Sequence, residues 1–179
     1  MAGNTPNAAV KAFTKPIQDA LVCFVDGKVT ADTYDTDSEG VLTFNRATPT
    51  RLPGSVRIHI TISMRYRVVR APDEARGPWK VSTTGWIYDV LDRDEARIVA
   101  YHWHPISDSH AKHPHMHVTE LGDKRHFPTG RVLIEDVLQL AVDLGAKPRD
   151  ETKWSEIAER NRSNFALAAT WGIGHPSVG

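Results

Sequence analysis

The stretch VRIHITISMRYRVV, residues 56–69, constrains the fold more than any other part of the chain. Ile58, Ile60, Ile62, Met64, Tyr66 and Val68 alternate with Arg57, His59, Thr61, Ser63, Arg65 and Arg67. Successive side chains of a strand point to opposite faces, so a period of two predicts a strand with one buried face and one polar, basic face.

Other elements follow from pattern and punctuation. VLTFNRA (41–47) reads as a short strand. WKVSTTGWIYDVLD (79–92) and ARIVAYHWH (96–104) read as two longer strands joined by the polar turn DRDEA, and HMHVTE (115–120) starts a further one. Near the start, Thr5 and Pro6 suit the cap and first position of a short helix, with a second start at Thr14 just before Pro16. Residues 16–30 are compatible with a helix ending near Gly27 or a hairpin turning at Asp26-Gly27; the helix is the favoured reading. After residue 128 the period changes. Thr129 is an N-cap candidate and Gly145 a stop, with Ile134, Val137, Leu138, Ala141, Val142 and Leu144 between them at helical spacing. A second helix follows, its stripe formed by Trp154, Ile157, Ala158, Phe165, Ala168 and Trp171. Strands followed by helices, without βαβ alternation, predict an α+β fold. The expected architecture is an antiparallel sheet of four to five strands, two C-terminal helices on one face and a helical N-terminus.

The 179 residues, 40% hydrophobic and 25% charged, suit a single soluble domain over 1–179. No run approaches the ~20 apolar residues of a membrane span, and the first residues lack a basic start followed by an apolar run. The lone Cys23 excludes an internal disulfide and a thiolate zinc cage. A reduced, cytoplasmic protein without membrane contact is expected. Formal net charge is zero, but charge is unevenly spread. Asp32, Asp35, Asp37 and Glu39 crowd an acidic loop at 31–40, while Arg51, Arg57, Arg65, Arg67 and Arg70 form a basic stretch suited to phosphate.

Histidine is concentrated at 101–120, YHWHPISDSHAKHPHMHVTE, which holds His102, His104, His110, His113, His115 and His117 of the chain's nine. Within His-x-His on a strand, both imidazoles share a face about 6.5–7 Å apart. If the His-rich loop 105–114 closes a hairpin, directly opposed positions lie about 4.5–5.5 Å apart, and four imidazoles gather on one surface. Three readings stay open. His102, His104, His115 and His117 can bind a divalent transition metal of the zinc class, with Asp89, Asp108 or Glu120 completing or orienting the site. Two imidazoles can instead act as base and acid without metal, as in RNA cleavage, with Arg57, His59, Arg65 and Arg67 beside the phosphate. Or Tyr101 and Trp103 face the core and leave His102 and His104 merely solvated.

Two family resemblances enter at these residues. GSVRIHITISMRYRVV, then DRDEARIVAYHWHP with HPHMHV, then PTGRVLIEDVLQLAVDLG run in an order that resembles TumE-type members of TumE/TumA toxin–antitoxin pairs, over about residues 54–145. The HFPTGR segment followed by a Trp-bearing helix is similar to uncharacterised bacterial hypothetical proteins. The resemblance implies a cytoplasmic protein that acts on RNA or is held by an antitoxin-like partner. HIT at 59–61 and HVT at 117–119 are similar to the paired His-x-Thr motifs of 2H phosphoesterases, in which the histidines transfer protons and the threonines hold phosphate. The expected function is a toxin-like or defence-associated phosphodiesterase or ribonuclease using the histidine cluster, the alternative a non-catalytic metal- or partner-binding module. Its expected site is His59, His102, His104, His115 and His117 with Arg57, Arg65 and Arg67.

Overall fold

In this computed structural model the described residues are 2–71, 77–105, 111–122 and 125–168. Among them the chain forms β1 (Ala2–Gly3), α1 (Pro6–Val22), β2 (Val29–Ala31), β3 (Gly40–Phe44), β4 (Thr50–Arg51), β5 (His59–Arg70), β6 (Trp79–Leu91), β7 (Arg97–Trp103), β8 (His115–Val118), β9 (Phe127–Pro128), α2 (Ile134–Asp143) and α3 (Glu151–Ala168). All nine strands belong to one antiparallel sheet, ordered β2-β3-β5-β6-β7-β8-β9, with β1 pairing β6 and β4 pairing β5. No helix among the described residues is long and apolar enough to cross a membrane.

The alternation in 56–69 becomes β5, whose burial follows it residue by residue. Ile60, Ile62, Met64, Tyr66 and Val68 are buried, while Arg65 and Arg67 are exposed on the other face. Each fully buried apolar side chain contributes about 1.5–3 kcal/mol, which holds this register against a one-residue slip. The apolar face packs against α1 and α2, and α3 packs on those two helices. Ile17 and Leu21 of α1, Val137 and Leu138 of α2, and Trp154 and Ile157 of α3 join the sheet residues in one core. Among the described residues, helices therefore cover one side of the sheet and leave the polar side open.

Several expectations are corrected. The sheet has nine strands, not four to five, because segments of two or three residues such as Ala2–Gly3, Thr50–Arg51 and Phe127–Pro128 are too short to carry a period. The N-terminal helix is one unbroken element. It passes through Pro16, ends at Val22 before any hairpin could form, and joins the C-terminal helices on the same face. Thr129 does not cap α2; the helix starts at Ile134, where the Asp136 carboxylate reaches back to accept from the Leu133 N–H at 2.9 Å. Gly145 does stop it, with φ at +107°, a value that suits glycine. Ala168 closes α3, and Trp171 lies outside the described residues.

Candidate metal centre

The open face is a grid set by strand register. Ser63 of β5 stands opposite Ile87 of β6, which is opposite His102 of β7, which is opposite His115 of β8, which is opposite Pro128 of β9. In the next row Thr61 faces Asp89, Asp89 faces Ala100, and Ala100 faces His117. The two His-x-His pairs are thus staggered, with His102 and His115 directly opposed and His117 diagonal to His102. The buried side chain of Ala100 is small, and the imidazoles of His102 and His117 lean together over it with ring centres 4.9 Å apart.

The cluster is dense. His102 and His115 are 5.7 Å apart between ring centres, His115 and His117 5.1 Å, and His104 and His115 5.2 Å. His126, just before β9, adds a fifth ring 4.6 Å from both His115 and His117. One ring nitrogen from each of His102, His115 and His117 comes within 4.8 Å of the others. His115 is wholly buried and His117 nearly so. The Nε2 atoms of His102 and His115 are buried without a hydrogen-bond partner among the described residues. His115 Nδ1 lies 2.9 Å from the carbonyl oxygen of His113, an acceptor only, so Nδ1 carries the proton and Nε2 the lone pair.

Burial drives the electrostatics. It pushes His102 down to about 4, aided by the charge of His117, while Asp89 acts in the opposite direction. His104 is lowered by burial first and then by His117 and His126. His115 is lowered too, burial outweighing the bond to the His113 carbonyl. These three imidazoles are neutral near pH 7, the form a metal ligand requires.

The remaining sequence candidates are spread along β5. Arg65 and Arg67 line an open groove, together with Ser63, Gly85, Ile87 and His104. A side chain at Gly85 would meet the Trp103 carbonyl oxygen at 2.8 Å, so glycine keeps this floor flat. Arg65 Nη1 is 3.7 Å from Glu39 Oε2, which brings the end of the acidic stretch to the groove rim. His59 is not gathered into the cluster. It lies four positions from Ser63, roughly 13 Å along the strand direction, and its Nδ1 is 2.9 Å from the Asp92 carbonyl oxygen. Arg57 precedes β5 at that same far end, beside Asp92 and Arg93. Tyr101 and Trp103 pack against the core, as one reading expected, yet His102 and His115 are not simply solvated. Asp89 accepts from Thr61 Oγ1 at 2.7 Å and Arg97 Nε at 3.0 Å, whereas Glu120 is exposed in the turn after β8. His110 and Asp108 lie outside the described residues.

Two site residues escaped the sequence reading. His126 had a faint signal: it alternates with Pro128 just after the second His-x-His, as a short edge strand would. Arg97 had none. No family model, curated protein or solved structure matches the chain.

Proposed function

We propose that the protein is a metal-dependent phosphodiesterase, with RNA its first candidate substrate and a zinc-class ion held by His102, His115 and His117. One observation carries this: His102, His115 and His117 each bring a ring nitrogen within 4.8 Å of the others, and two of these residues, His102 and His115, hold a buried Nε2 without a partner among the described residues. Leaving a buried polar atom unsatisfied costs about 1–3 kcal/mol, and an ion converts that cost into ligation. Zinc–imidazole bonds are about 2.0–2.1 Å, so ligands of a tetrahedral ion would stand roughly 3.3 Å apart, inside the 4.8 Å within which the three nitrogens lie. Imidazole-only ligation suits zinc, copper or nickel better than magnesium or calcium. His102, His115 and His117 would hold such an ion with a position left open, and there it would lower the pKa of a bound water to about 7.

The chain's own residues then divide the remaining work. The His113 carbonyl orients His115, and Ala100 leaves room above the sheet for the three rings to meet. Arg65 and Arg67 offer guanidinium groups along the groove that begins at His104, where a phosphate-bearing strand can lie. A metal-free acid/base pair is the weaker reading, because it needs one imidazolium and burial drives His102, His104 and His115 towards the neutral form. The toxin-like setting and antitoxin-like partner implied by the layout resemblance belong to the same proposal.

The test is cleavage of mixed RNA and DNA substrates by untagged protein, with and without chelator, beside His117→Ala. The reading expects RNA cleavage that chelator abolishes and added zinc or cobalt restores, with the variant inert in every condition. A protein that binds zinc yet cuts no nucleic acid would be the non-catalytic metal-binding module instead. Cleavage that survives excess chelator would return the metal-free pair to first place.

A further inference from the structure

β7 breaks its own alternation. Val99, Tyr101 and Trp103 sit on the helix side of the sheet, so an unbroken period of two would send Arg97 there as well. The register instead shifts between Val90 and Leu91, so that Val90 faces Val99 but Leu91 faces Arg97. Ile98 is the extra residue of a β-bulge, a device that re-aims a side chain and is enriched beside active sites. Leu91 is paired with His59 on the open face, and the shift brings Arg97 onto that face with it. Arg97 thereby stands next along the strand from Ala100, the residue over which His102 and His117 converge.

We infer that Arg97, turned by this bulge and anchored by Asp89, forms with the neighbouring imidazole triad a binding site for a phosphate group. The anchoring is specific. Arg97 Nε donates to Asp89 Oδ1 at 3.0 Å, while the other carboxylate oxygen, Oδ2, accepts from Thr61 Oγ1 at 2.7 Å. Each oxygen of Asp89 thus has a donor, and Asp89 acts as a positioning residue for Arg97. The two Nη groups of Arg97 have no hydrogen-bond partner among the described residues, and the side chain is 41% exposed. A guanidinium held by Nε alone presents a planar fork of N–H donors, the geometry that meets two oxygens of a phosphate. Arg65, by contrast, has Glu39 beside it and is more exposed, which suits a later phosphate along the strand better than the one at the ion. The inference deepens the phosphodiesterase reading and rests on it for the ion's share of the binding, not for the arginine's.

Titration of inorganic phosphate into full-length protein, at one ionic strength, with and without saturating zinc, tests it. Wild-type protein is expected to bind phosphate in both forms and more tightly with zinc. Arg97→Ala is expected to weaken binding by about tenfold or more in each, the scale of a lost charge-assisted hydrogen bond. Zinc content should be unchanged. Arg97→Lys, which keeps the charge but not the fork, should fall between the two. Arg93→Ala removes the same charge from an exposed turn and should change affinity by less than about twofold at physiological salt. Equal phosphate affinity in wild type and Arg97→Ala overturns the inference even if zinc binds, and so does a wild-type protein that binds no phosphate. Protein that takes up no zinc, yet loses phosphate on Arg97→Ala, supports the inference while overturning the metal reading.

Discussion

His102 carries its imidazole half-buried between Ile87 and His115, where the neutral ring is the cheaper form, and the consequence is measurable as pH dependence. An unfolded histidine titrates near 6.5, whereas folded His102 titrates near 4 and His104 and His115 are also lowered. Between these values the unfolded chain binds more protons, so acid favours unfolding. The stability is full above about pH 6.5 and is lost as pH falls towards 4. With chelator present, the melting temperature should fall across that window, and His102→Gln should flatten part of the fall. Carboxylates also titrate there, so the comparison with the variant decides; an identical slope in both would remove His102 from the cause. A single-ligand change tests the ion directly. His117→Ala should weaken zinc by more than the 10–100-fold typical of an outer-shell partner, read by competition with a chromophoric chelator, and affinity within twofold of wild type would exclude His117 as a ligand.

At the scale of elements, the two faces of β5 predict opposite responses to truncation. Ile62→Ala opens a cavity against the helix layer and should cost about 2–5 kcal/mol in denaturant unfolding. Arg67→Ala, exposed on the other face, should change stability by no more than about 0.5 kcal/mol. Equal costs would mean the strand is not two-faced. This element was legible because twelve alternating residues leave no other period. β9 was not, since two residues carry no period, and its neighbour His126 was missed with it. Arg97 was hidden for a different reason. Alternation assigns it to the helix side, and only the shift at Val90/Leu91 reverses that, a change of pairing that β7's own residues do not announce. The stagger between the two His-x-His pairs was likewise set by pairing along β7 and β8, which puts His102 opposite His115 with His117 diagonal to it, while His59 stays apart on β5, beyond β6.

At the scale of the whole molecule, the helices among the described residues pack on one face of the sheet, and the histidine cluster lies on the other. The α+β class, the strand-then-helix order and the concentration of histidines were readable from periodicity and composition, because core burial enforces both periods. The function was not, because a metal site depends on ring nitrogens brought together from two paired strands and on what they leave unpaired. Binding to the native state alone raises stability by about 2.7 kcal/mol at a hundredfold excess of ligand over Kd, so saturating zinc should raise the melting temperature at pH 7, and magnesium should not. That gain should vanish as acid protonates the ligands. X-ray absorption at the edge of the bound ion, in untagged protein loaded with one equivalent of zinc, is the most direct measurement of the central claim. The account predicts three imidazole nitrogens at about 2.0–2.1 Å and one further light atom, with imidazole outer-shell scattering diminished in His102→Ala. A shell of oxygens without imidazole scattering, or protein that retains no zinc after gel filtration, would contradict it.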